Sequence, residues 1–129
     1  MTGWTIDELD QIEAAEELQI ESLRRDGTRR NPVTIWVVRI GDNLYVRSVN
    51  GRNSAWFRGT QVRHEGCIQA GGISKNVSFV EEDDRAINAR IDAAYRAKYR
   101  RYAASIINSI VSPGACSATI KLVPLTASA

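Results

Sequence analysis

Residues 33–59 read VTIWVVRIGDNLYVRSVNGRNSAWFRG, and this stretch decides the fold. From Val33 to Ile40 the chain is β-branched and apolar on both faces until Arg39, which predicts a central strand opened by Pro32. Gly41-Asp42-Asn43 turns the chain back into Leu44-Tyr45-Val46-Arg47, completing a hairpin. Past Ser48 the chain leaves the sheet through Asn50-Gly51. Residues 54–64 then read as a short helix or helical turn carrying Trp56, Phe57 and Val62.

Upstream, Thr5 and Glu8 form a capping box, with Trp4 and Leu9 placed as a hydrophobic staple. Leu9, Ile12, Glu13 and Glu16 continue at helical spacing, predicting a short amphipathic helix that plugs or covers one end of a sheet. A strand begins near Leu18, with Ile20 and Ser22 alternating against Gln19 and Glu21, and Asp26-Gly27 marks a turn. Downstream, residues 67–70, Gly71-Gly72 and 73–80 predict a second hairpin. Asp83 or Asp84 caps a longer helix in which Ile87, Ile91, Ala94, Tyr95 and Tyr102 recur at three-to-four spacing. Ser105 to Val111 continues helically after a break. Ser112-Pro113 opens one more turn, and residues 118–124 form a last strand. The tail after Leu125 is small and polar and reads as frayed. About six mostly antiparallel strands result, a number that closes into a barrel and so removes exposed edges. The chain reads as one domain, residues 1–129.

Composition excludes several classes. A 43% hydrophobic and 25% charged chain is ordinary for a globular protein. No window approaches eighteen apolar residues, so no membrane span is expected. Asp7, Glu8 and Asp10 stand where a signal peptide needs a basic start, which predicts a cytoplasmic protein. Cys67 and Cys116 are expected as reduced thiols. The net charge of +2 divides into blocks: −7 over residues 1–21, +7 over 22–64, −4 over 65–84 and +6 over 85–129. Opposite blocks are expected to face one another within the fold or across a subunit boundary. A nucleic-acid binder is more often basic overall, which argues against that partner. The Arg24–Arg30 turn reads as a solvated hairpin tip, and the stripe Tyr95, Tyr99, Tyr102 as packing against the sheet.

Catalytic motifs are absent. His64 is the only histidine, so neither a metal site nor a Ser-His-Asp hydrolase is expected. No Gly-x-Gly-x-x-Gly or phosphate-loop motif occurs. The one chemically suggestive cluster is Arg47, Ser48, Arg52, Ser54 and Arg58 around Gly51. Guanidinium forks, hydroxyls and N–H groups at a strand end suit a phosphate. Ser54 is placed to cap the following turn, and Trp36 on the neighbouring strand to offer a flat wall for an aromatic ring. A plainer reading stands beside it: Trp36 is core, Arg47 pairs with an acid of residues 7–21, and Ser54 is only a cap.

The segments WTIDELDQI, VTIWVVRIGDNLYVRSVNGRNSAWFRG, DAAYRAKYRRYAASI and SPGACSATIKLVP, spanning roughly residues 3–124, resemble a bacterial family known as domain of unknown function 2255. That family's fold is similar to the split β-barrel of pyridoxamine-phosphate-oxidase-like flavoproteins and deazaflavin-dependent nitroreductases. The resemblance implies an α+β, six-stranded, mostly antiparallel split barrel with an N-terminal helix and helices before the last strand. It also implies a homodimer with a cofactor groove between barrels. The superfamily pattern places Arg47-Ser48 and Ser54 at the phosphate. Trp56 stands where that pattern has a lysine, leaving Arg52 or Arg58 to replace it. The expectation is a protein binding FMN or deazaflavin and acting as an oxidoreductase on a small organic molecule. Arg47, Ser48, Arg52, Ser54 and Arg58 would hold the phosphate, and Trp36 and Trp56 would flank the ring. The alternative is a split barrel without a cofactor, working as a small-ligand or dimeric interaction module.

Overall fold

A computed structural model of the chain describes residues 3–125, so the tail expected to fray after Leu125 lies outside the described residues. Helix α1 is Ile6–Ala14, and its capping box is formed as the sequence predicts: Glu8 N–H donates to Thr5 Oγ1 and Thr5 N–H to the Glu8 carboxylate. The strands are β1 (Leu18–Ser22), β2 (Val33–Ile35), β3 (Val38–Ile40), β4 (Asn43–Arg47), β5 (Glu65–Ala70), β6 (Ile73–Glu81) and β7 (Thr119–Pro124). A 3-10 turn, Gly51–Asn53, leads into α2, Ala55–Arg63. Between β6 and β7 lie α3 (Arg85–Lys98), capped by Asp84, α4 (Ala104–Ile110) and α5 (Pro113–Cys116), capped by Ser112.

All seven strands share one antiparallel sheet in the order β2-β1-β5-β6-β7-β4-β3. The two edges, β2 and β3, are consecutive in the chain, so the segment 33–40 runs from one edge to the other and curls the sheet on itself. This corrects the single central strand expected there and raises the strand number from six to seven. The reason is local to Val37. Its N–H donates to the Tyr99 hydroxyl at 3.2 Å, and its carbonyl accepts from Lys98 Nζ at 2.8 Å. Tyr99 Oη donates onward to the Glu16 carbonyl at 2.6 Å. Side chains of α3 thus take the backbone groups that a continuous ladder would use.

Two clusters explain why the segment is apolar on both faces. Val37 joins the main core inside the curled sheet, with Leu9, Ile12, Leu44, Phe57, Ile68 and Ile120. Val38 joins a second core on the outer face, where Ile91, Tyr95 and Tyr99 of α3 cover Tyr45. Helix α1 closes the main core with Leu9 and Ile12, both fully buried. The β5–β6 turn presses against it: at Gly71 (φ +56°) a Cβ would lie 2.2 Å from the Gln11 carbonyl oxygen. The acidic N-terminal block does face basic residues within the fold. Arg39 bonds Asp10 and Glu13 at 2.9 and 3.2 Å, Lys75 bonds Glu8 at 2.7 Å, and Arg101 pairs with Glu16. No helix among the described residues is long and apolar enough to cross a membrane. Both cysteines are free thiols.

Candidate functional site

The strand end of β4 is where phosphate chemistry was expected. Arg47 is 1% exposed, and its donors all have acceptors. Nε donates to Thr119 Oγ1 at 2.9 Å. Nη1 donates to Asp92 Oδ1 at 2.5 Å and to the Ile110 carbonyl at 3.3 Å. Nη2 donates to Asn88 Oδ1 at 2.9 Å and to the Asn88 carbonyl at 3.2 Å. A guanidinium has five N–H groups, so none remains for a ligand. The side chain fastens β4 to β7, α3 and α4. Its carboxylate partner comes from α3 and not from residues 7–21, whose paired acids go instead to Arg29, Arg39, Lys75 and Arg101.

The other members of the cluster are also engaged, except one. Ser48 is buried, and its hydroxyl lies 2.7 Å from that of Ser54. Ser54 caps α2 by accepting from the Phe57 N–H at 3.3 Å. Arg52 donates to Glu81 at 2.5 Å and to the Ser117 carbonyl at 2.8 Å, and the hydrogen bond to Glu81 raises its pKa. Arg58 is exposed and has no hydrogen-bond or ion-pair partner among the described residues. Four of the five residues along the β4–α2 connection therefore spend their polar groups on partners within the chain.

The two tryptophans do converge. Trp36 sits at the break between β2 and β3. Its indole stacks on Tyr99 with ring centroids 3.9 Å apart and 5° between planes. Tyr102 packs at 4.9 Å on the same ring. Trp36 and Trp56, both half-buried, line a cavity of about 330 Å³ with Val33, Ile35, Val49 and Ile106. Arg47 also borders it, but with its guanidinium wholly occupied as above. Burial of Tyr95 and Tyr99 drives their phenol pKa values upward, so both stay neutral. The tyrosine stripe thus packs on the sheet, as its spacing predicts.

Sequence reasoning missed Asn88, Asp92 and Thr119 as the partners of Arg47. A signal existed: Asn88 and Asp92 are four apart and flank the apolar stripe of α3, where a polar pair facing the sheet needs a counterpart.

Residues 8–122 match the model of a family described as "Uncharacterized protein conserved in bacteria (DUF2255)". The chain belongs to this family. No curated protein matches this chain. Solved structures share its fold. A candidate pyridoxamine 5′-phosphate oxidase from Listeria innocua is 17% identical, with 92% of this chain and 90% of that one covered and a TM-score of 0.64. An FAD-binding protein from Mesorhizobium loti is 14% identical over 95% and 91% of the two chains, with a TM-score of 0.61. An F420 reductase is 13% identical over 91% and 92%, with a TM-score of 0.58. The family match bears out the family that the sequence segments resemble, and the solved structures share the kind of barrel expected from it. At such identities they establish the fold alone.

Proposed function

We propose that this DUF2255 chain binds a flat, phosphorylated redox cofactor of the flavin or deazaflavin class, with the ring in the cavity between Trp36 and Trp56. The observation that carries this reading is the cavity itself. Its volume of about 330 Å³ and mostly apolar walls suit a planar ring, and Trp36 is held rigid by Tyr99. Fold relatives whose names state FAD and F420 support the same class of ligand. When bound, such a cofactor supplies hydride transfer to or from a small organic substrate. The chain's own residues bind, orient and exclude water. Trp36 and Trp56 flank the ring, and the apolar side chains of Val33, Ile35 and Ile106 keep water from its face. The residues present fit the ring. The Arg47 guanidinium does not fit the phosphate, because every donor is taken. In this reading the protein is a homodimer, and a second copy covers the apolar cavity rim, where Val49 is 48% and Ile106 49% exposed.

A second reading is favoured by the same Arg47 network and by Trp56 at the lysine position: a barrel without cofactor, binding a small apolar ligand or another copy. Titration of the purified protein with FMN, FAD and deazaflavin separates them. Quenching of flavin fluorescence at micromolar protein, lost in Trp36→Leu, is expected from the first reading. Failure of all three to bind at tens of micromolar leaves the second. Light scattering tests the dimer, for which a single species at the monomer mass is the refuting result.

A further inference from the structure

The β1–β2 connection carries four arginines, Arg24, Arg25, Arg29 and Arg30. Arg24 Nη1 donates to the Arg29 carbonyl at 2.7 Å, and Arg29 lies 3.8 Å from Glu21. Arg30 is different. Its Nε is buried without a hydrogen-bond partner, and no carboxylate lies within ion-pair distance among the described residues. A buried guanidinium N–H with no acceptor is costly, and no carboxylate neutralises the charge of this arginine. The stem of Arg30 is set in a slot that a glycine provides. At Gly59 a Cβ would come within 3.0 Å of Arg30 Nε, 3.1 Å of its Cδ and 2.6 Å of Ser22 Oγ.

Arg30 lines a cavity of about 230 Å³ together with Arg24, Ser22, Asn31, Ala55 and Trp56, and no carboxylate borders it. Ala55 and Trp56 are the first two residues of α2, a nine-residue helix. Their N–H groups have no acceptor within the helix, and the positive end of its dipole lies there. Trp56 and Val33 also border the aromatic cavity, so the two cavities share a wall.

We infer that this second cavity is the phosphoryl subsite of the ligand, held by Arg30 and Arg24 with the first N–H groups of α2 in place of Arg47. The inference rests on the reading of the aromatic cavity as the ring site. Two guanidiniums, a hydroxyl, an amide and helix N–H groups offer more donors than a carboxylate uses and match the three terminal oxygens of a phosphate. None of the five residues of the cluster at the β4 strand end lines this cavity. Trp56 then belongs to both parts of the site, as a ring wall and, through its backbone, as part of the anion cradle.

The test compares FMN with riboflavin, which differ only by the phosphate, and adds inorganic phosphate alone. In the wild-type chain FMN is expected to bind at least about tenfold tighter than riboflavin, and phosphate to raise the melting temperature more than chloride or acetate at equal ionic strength. Arg30→Gln is expected to bring the FMN-to-riboflavin ratio near one and abolish the phosphate effect, with riboflavin affinity unchanged. Arg58→Gln leaves both intact. Should Arg30→Gln not fold, Arg24→Gln, at an exposed position, is expected to reduce the phosphate effect in part. If neither flavin binds but phosphate still protects the wild type and not Arg30→Gln, the ring assignment falls and the anion subsite stands. Phosphate protection no greater than that of chloride or acetate overturns the inference, as does a phosphate response in Arg30→Gln or Arg24→Gln equal to the wild type.

Discussion

Arg47→Met separates a structural arginine from a ligand-binding one. Methionine keeps most of the apolar stem and removes five hydrogen bonds and an ion pair. Asp92 is 34% exposed and rehydrates, so the lost pair is discounted to about 1 kcal/mol. The Ile110 carbonyl, at the C-terminal end of α4, and the Asn88 groups are buried acceptors that water does not reach. Leaving them short of a donor costs about 1–3 kcal/mol. Together these give roughly 2–4 kcal/mol, close to the ~3–5 kcal/mol typical of breaking a buried pair. A chain of this size has a total stability of about 6–19 kcal/mol, so the variant still folds. Its melting temperature falls by roughly 7–15 °C. Urea unfolding followed by circular dichroism measures the loss, with Arg52→Met as the reference: that side chain is 48% exposed, and its pair with Glu81 contributes under about 1 kcal/mol. If Arg47→Met unfolds within about 1 kcal/mol of the wild type while phosphate or flavin affinity collapses, the guanidinium serves a ligand and the network described above does not hold the fold.

Three further outcomes are expected. Tyr99→Phe deletes the hydroxyl that joins Val37 to Glu16 and costs about 1–3 kcal/mol in urea unfolding; no change would mean that water replaces it at the strand break. Desolvation lowers the Lys98 pKa to about 8, against 10.5 for an ordinary lysine. The unfolded chain binds more protons between these values, so this group makes stability rise with pH from about 8 upward. The neutral amine still donates to Val37. Lysine-selective NMR reads the midpoint, Lys98→Met flattens the alkaline limb, and a midpoint near 10.5 refutes the burial argument. Gly71→Ala is expected to cost roughly 3 kcal/mol or more, because the new Cβ meets backbone at 2.2 Å. Gly72→Ala, with only the Gln11 side chain at 3.8 Å, carries chiefly the strain of its positive φ, about 1–2 kcal/mol. Equal losses for the two would show that α1 shifts freely.

Local chemistry was legible in the sequence wherever one short segment decides it. The capping box of Thr5 and Glu8, the turn at Gly41-Asp42, the cap at Asp84 and the Ser112-Pro113 start all lie where their residues place them. The split of residues 33–40 was not legible, because it is made by Lys98 and Tyr99, more than sixty residues away. Periodicity sees only that both faces are apolar, which a central strand and an edge-to-edge crossing share. The role of Arg47 was hidden for a related reason. Arg47-Ser48 has the composition of an anion cradle, but the sign and distance of the nearest carboxylate decide what an arginine does. Asp92 lies forty-five residues downstream, in another element. Trp36 lies beside a cavity and stacks on Tyr99, and a tryptophan's bulk constrains its place whatever the partner.

The position of Arg47 also bears on where an anion can go. A phosphate beside it would need a donor withdrawn from Asp92, Asn88, Thr119 or Ile110, and each withdrawal leaves a buried acceptor unpaired. At Arg30 no carboxylate holds the guanidinium, so an oxyanion arriving in the cavity displaces no ion-pair partner and orphans no buried acceptor. The glycine at position 59 matters for the same reason, since any side chain there would press on the Arg30 stem or on Ser22. Gly59→Ala tests this without changing charge. A weakened phosphate response alongside intact riboflavin binding would tie the slot to the anion. An undiminished response would show that the guanidinium needs no slot to act.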